Sequence, residues 1–114
     1  MLRKHAIDLV KELKPIISLL ELNGLTSLEN IIDYPEFKHA ALISIKNNYI
    51  KWVAEFDKLD IEAKSIEHRY LSNLIRGTLG YDYRFERKAG TQLGLLVLEK
   101  RACGNCYKFK IYPF

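Results

Sequence analysis

Several things are missing from this chain, and each absence removes a class of function. No apolar run approaches the roughly 18–20 residues that a bilayer span needs. The start, Met1-Leu2-Arg3-Lys4-His5, leads into an amphipathic pattern instead of a signal-peptide core, so the expected compartment is the cytoplasm. There is no phosphate-binding glycine loop, no G-x-S-x-G, no H-E-x-x-H and no close carboxylate pair in an apolar setting. His5, His39 and His68 are scattered. No enzyme is expected, and no cofactor is implied. Repeats, low-complexity tracts and linkers are lacking too, so residues 1–114 are expected to form a single domain.

Cysteine is scarce, with two residues in the spacing Cys103-Gly-Asn-Cys106. As zinc chemistry this is half a site, because a structural zinc takes four ligands and the histidines lack the paired spacing of a finger. As redox chemistry it lacks a strand-to-helix setting. The expectation is a structural turn that holds no metal. Gly104-Asn105 reads as a two-residue hairpin loop, which sets Cys103 opposite Cys106, Ala102 opposite Tyr107 and Leu98 opposite Ile111. Oxidation could then join the cysteines. The same register opposes Arg101 and Lys108, an unfavourable like-charge pair.

What the chain does have is a long apolar stripe. From Glu36 to Leu59, residues Phe37, Ala41, Leu42, Ile45, Tyr49, Trp52, Val53, Phe56 and Leu59 recur every three or four positions. They predict one amphipathic core helix carrying the only Trp, with Pro35 at its start. Before it, Leu2 to Leu22 reads as helix, kinked or divided at Pro15 and stopped by Asn23-Gly24. Thr26-Ser27-Leu28-Glu29 has the form of a capping box and predicts a short helix ending at Asp33-Tyr34-Pro35. After it, Asp60 opens a helix over 61–76, with Ala63, Ile66, Tyr70 and Leu74 inward and Ser65, Arg69, Ser72 and Arg76 outward.

From Tyr81 the period falls to two. Tyr81, Tyr83 and Phe85 alternate with Asp82, Arg84 and Glu86, and Lys88-Ala89-Gly90 reads as a turn. Strands follow from Gln92 to Ala102 and from Tyr107 to Tyr112, with Gly94 as a possible bulge. One face would hold Leu96, Leu98, Ala102, Tyr107, Phe109 and Ile111, the other Glu99, Arg101, Lys108 and Lys110. The expected fold is α+β: four or five helices around the central one, then a three-stranded antiparallel sheet.

The net charge of +4 is uneven. Residues 1–60 carry 8 Lys/Arg and 9 Asp/Glu, while residues 61–114 carry 10 Lys/Arg and 5 Asp/Glu. The second half therefore invites an acidic partner, either nucleic acid or an acidic protein surface. Tyr70-Leu71-Ser72-Asn73-Leu74-Ile75-Arg76 followed by Leu79-Gly80 resembles the recognition helix and exit turn of AraC-type transcription regulators, over about 11 of the 114 residues. The resemblance implies that Arg69, Ser72, Asn73 and Arg76 face a groove. A helix followed by a basic hairpin also resembles the winged-helix arrangement.

The leading expectation is a non-catalytic nucleic-acid-binding module, a small regulator that favours duplex DNA. It would use the basic helix 61–76 for base edges and Arg84, Arg87, Lys88, Lys100, Arg101, Lys108 and Lys110, in and around a basic hairpin over 91–112, for phosphates. The alternative is a small inhibitor or adaptor, of the kind mobile elements encode, that docks on a protein through Tyr81, Tyr83, Tyr112 and Phe114. A zinc-linked dimer is a third reading.

Overall fold

Hydrophobic periodicity builds the first helix. In the computed structural model, which describes residues 1–31, 34, 39–86 and 94–112, α1 runs Leu2–Leu22 as one helix. Ala6, Leu9, Val10, Leu13, Ile16, Ile17 and Leu20 form its buried stripe. Pro15 does not divide it. It stands on the exposed side, where water can replace the backbone donor that proline lacks. Asn23 closes the helix, donating from Nδ2 to the Leu19 carbonyl at 3.0 Å.

The capping-box expectation fails at the next segment. Ser27–Leu28 form a short strand, β1, that runs parallel to the last strand, with the Lys108 amide donating to the Thr26 carbonyl at 2.7 Å. A cap contributes about 1 kcal/mol. Sheet pairing together with packing of Leu28 on the core outweighs it. Of the expected helix end, only Tyr34 lies within the described residues.

The central helix α2 spans His39–Asp57. Leu42, Ile45, Tyr49, Trp52, Val53 and Phe56 are buried as the stripe requires, whereas Ala41 is exposed. Phe37 lies outside the described residues. After a three-residue turn, α3 spans Ile61–Leu79. Asp60 caps it by accepting from the Ala63 amide at 2.8 Å, and Gly80 ends it in the left-handed conformation that glycine reaches without strain. The buried residues of α3 are Leu71 and Ile75, and Ile66 is 50% exposed. The expected inward face was therefore misplaced by about one residue, roughly 100° around the axis.

Four strands form one mixed sheet in the order β1-β4-β3-β2, not a three-stranded antiparallel one. β2 is Asp82–Glu86, β3 Leu95–Ala102 and β4 Asn105–Ile111. Three helices, not four or five, are present among the described residues. The hairpin register also differs from expectation. Cys103 and Gly104 are the two loop residues, with φ of 53° and 78°, the pair of positive values that a type I′ turn requires. Ala102 thus pairs with Asn105, Arg101 with Cys106, Glu99 with Lys108 and Leu98 with Phe109. Cys103 does not face Cys106, so the geometric case for joining them lapses, and both are free thiols. Moving the loop by one residue moves each cross-strand partner by two, which leaves the two faces of the sheet as expected.

The helices cover the face carrying Tyr83, Phe85, Leu96, Leu98, Phe109 and Ile111. Trp52 is 1% exposed, stacked on Phe56 with ring centroids 4.7 Å apart and tilted against Phe85 at 5.4 Å. Tyr49 reaches through the core and donates its hydroxyl to the Gly94 carbonyl at 2.6 Å. None of the helices is long and apolar enough to cross a membrane among the described residues.

Candidate interaction surface

The face of the sheet turned away from the helices carries charges of both signs, with two carboxylates, Asp82 and Glu99, directly opposite each other. The pairing register puts Asp82, Glu99, Lys108 and Ser27 in one row across the strands, and Arg84, Val97 and Lys110 in the next. Arg101 stands opposite Cys106 at the hairpin end. Val97 is fully buried between Arg84 and Lys110, whose aliphatic stems flank it on both sides.

Among the described residues, carboxylates meet three of the five expected phosphate ligands, Arg84, Lys100 and Lys110, and one of the expected groove contacts, Arg76. Arg84 donates to both Glu99 and Glu86, and these hydrogen bonds, outweighing partial desolvation, raise its pKa. Lys110 Nζ donates to Glu29 at 3.2 Å, which raises the lysine pKa. Arg76 Nε donates to Asp82 Oδ1 at 2.7 Å. Lys100 does not share this face at all. It sits on the helix side, donating to Glu21 Oε1 at 2.9 Å, with its ammonium 4.8 Å from the Tyr81 ring centre and 5.4 Å from that of Tyr107. Burial pushes the Glu21 carboxyl up, but hydrogen bonds from Tyr81 and Lys100 and the lysine charge bring it below its ordinary value. Tyr81, buried and donating to Glu21 at 2.7 Å, is shifted upward.

Three expected contact residues carry no ion pair among the described residues: Arg69 on α3, Arg101 on β3 and Lys108 on β4. Arg69 and Asn73 are exposed on the outward side of α3, and Ser72 is half-buried. Arg87 and Lys88 lie outside the described residues. The helix stripe and the sheet face do meet, because Arg76 belongs to one and Asp82 to the other. A concavity lined by Asp82, Glu99, Lys100, Arg101 and Cys106 continues from that contact to the hairpin.

The expected aromatic anchors fare differently. Tyr81 is fully buried and cannot reach a partner. Tyr83 is half-buried, donating to the His68 carbonyl at 2.9 Å, and burial raises its pKa. Tyr112 is half-buried beside Glu29, and Phe114 lies outside the described residues.

What sequence reasoning missed is the pairing of cations with Glu21, Glu29, Asp82 and Glu99, although Asp82 and Glu99 were expected on the outward face of their strands. Counting charge per half of the chain hid it. The strict alternation Asp82, Arg84, Glu86 was the signal that could have exposed two of the pairs. No protein-family model, curated protein or solved structure matches the chain.

Proposed function

We propose that the protein is a non-catalytic binding module, an inhibitor or adaptor, that docks on a protein partner through the outer face of its sheet and the β3–β4 hairpin. The observation that supports this is the pairing of cations with carboxylates on that face. Arg76, Arg84 and Lys110 each hold an acidic neighbour, and Lys108 stands across from Glu99. On and beside this face Arg76, Arg84, Arg101, Lys108 and Lys110 are set against Asp82, Glu86, Glu99 and Glu29, an excess of one cation. Polyanion binding draws on an excess of positive charge that releases counterions from the phosphates. A surface so close to balance supplies little of that excess, yet it complements a protein surface that also carries both signs.

Duplex DNA is the second reading. It is favoured by Arg69, Arg101 and Lys108, which carry no ion pair among the described residues, and by the Arg76–Asp82 contact that joins the helix stripe to the sheet. Exposed ion pairs are weak, about 0–1 kcal/mol, so phosphates could compete for the paired cations. Fluorescence titration with duplex DNA at about 50 mM and 300 mM salt separates the readings. Protein docking predicts weak binding at both, unchanged by Arg69→Ala or Arg76→Ala. Micromolar binding that collapses with salt and with either substitution favours DNA.

A further inference from the structure

The sheet ends at β2, and its outer edge has no backbone partner among the described residues. β2 is hydrogen-bonded to β3 on one side, while no described backbone group bonds its other side. Such an edge offers unpaired N–H and C=O groups that recruit another strand unless something prevents it.

The charges of β2 specify which strand fits. Outward along it stand Asp82, Arg84 and Glu86, negative, positive, negative. An antiparallel copy centred on Arg84 would set Arg84 against Arg84 and Asp82 against Glu86, opposing like charges in every outward pair. Moving the centre by one residue to Phe85 sets Arg84 against Glu86 of the second copy, and Glu86 against its Arg84. Phe85 then meets Phe85 on the helix side, an aromatic cross-strand pair. The alternation therefore rejects the centred register and favours an offset one; the opposite offset, about Tyr83, would set Arg84 against Asp82 but leave Glu86 facing Gly80.

We infer that β2 is a self-complementary edge, and that two copies of this chain pair antiparallel about Phe85 into one continuous eight-stranded sheet. The outer faces of the two sheets then join, doubling the proposed docking surface and making it bivalent toward a partner that presents two sites. A five-residue strand buries less than the roughly 1,200 Å² of a stable interface, so the dimer forms reversibly and its strength depends on concentration.

Sedimentation equilibrium on the full chain tests this. The apparent mass is expected to rise from 13.3 kDa toward twice that value between micromolar and several hundred micromolar protein, and to fall back in high salt. Glu86→Lys keeps the Arg84–Glu99 pair but opposes two cations across the dimer, and is expected to weaken association at least tenfold. Circular dichroism checks that this variant folds. If it does not, hydrogen exchange on the parent protein decides instead. Amides on the outer edge of β2 are expected to exchange more slowly as concentration rises. A monomer throughout the range, a dimer indifferent to Glu86→Lys in a folded variant, or concentration-independent exchange on that edge would each overturn the inference.

Discussion

Arg76 Nε donates to Asp82 Oδ1 across 2.7 Å, joining the last turn of α3 to the first residue of β2. Both side chains are well exposed, at 64% and 69%. A pair this exposed contributes little to folding. Its larger effect is electrostatic, since it neutralises one of the arginines that a groove-binding helix would need. Asp82→Ala is expected to change stability by less than about 1 kcal/mol while raising duplex DNA affinity severalfold at low salt. Urea melts and fluorescence titrations on the same samples check both halves. An unchanged affinity would mean that Asp82 does not restrain Arg76.

The core should be sensitive at Trp52, which fills the space between α2 and β2. Trp52→Ala is expected to cost about 3–5 kcal/mol. In the parent protein, the Trp52 emission maximum should be blue-shifted from that of the unfolded chain. A native spectrum matching free tryptophan would contradict the buried stack on Phe56 and Phe85.

Tyr49→Phe removes a single oxygen and leaves the buried Gly94 carbonyl without its donor. The expected cost is about 1–3 kcal/mol, since an unpaired buried acceptor bears its desolvation in full. A melt superimposable on the parent would show that the bond contributes nothing.

The hairpin offers a stabilising change. Cys103 occupies a left-handed position, φ 53°, that asparagine tolerates better, and Asn-Gly is the preferred type I′ pair. Cys103→Asn is expected to raise stability by about 0.5–1 kcal/mol. Chemical denaturation measures it, and a loss of stability would place the turn elsewhere.

Glu21 links folding to pH. Its carboxyl titrates below the ordinary value of 4.5 in the folded chain, because hydrogen bonds from Tyr81 and Lys100 outweigh burial. A depressed folded-state pKa stabilises the protein above the unfolded value, and that contribution disappears as pH falls through the folded one. The parent should therefore lose more Tm than Glu21→Gln between pH 6 and pH 3. Equal losses would remove Glu21 from the linkage.

Much of the architecture could be read from periodicity. The stripe on α2, the helical pattern over Leu2–Leu22 and the two faces of the hairpin follow from patterns that burial enforces, although Pro15 does not divide the first helix as proline chemistry suggested. Three features could not be read, for separate reasons. Ser27–Leu28 forms a strand because Lys108 and Phe109, some 80 positions away, provide an edge to pair with, and a local capping signal cannot register that. The buried face of α3 was misassigned because Ile66 looks apolar in sequence yet points to solvent, while Leu71 and Ile75 are set by α1 and the sheet. The turn was placed one residue late because Gly104 attracted the loop toward Asn105. Left-handed geometry at Cys103, an unusual residue for it, settled the register and replaced an Arg101–Lys108 clash with the Glu99–Lys108 pair. The candidate surface was legible in its cations and illegible in its anions, since partners such as Glu29 and Lys110 are joined only by the fold.

Affinity capture with the full chain tests the proposed function most directly, with Arg101→Glu/Lys108→Glu as the matched variant and nuclease treatment as the control. Protein docking through the outer sheet face predicts a captured protein that survives nuclease and about 300 mM salt and is lost with the variant. Captured nucleic acid that nuclease or that salt removes, or a protein retained equally by parent and variant, would contradict it.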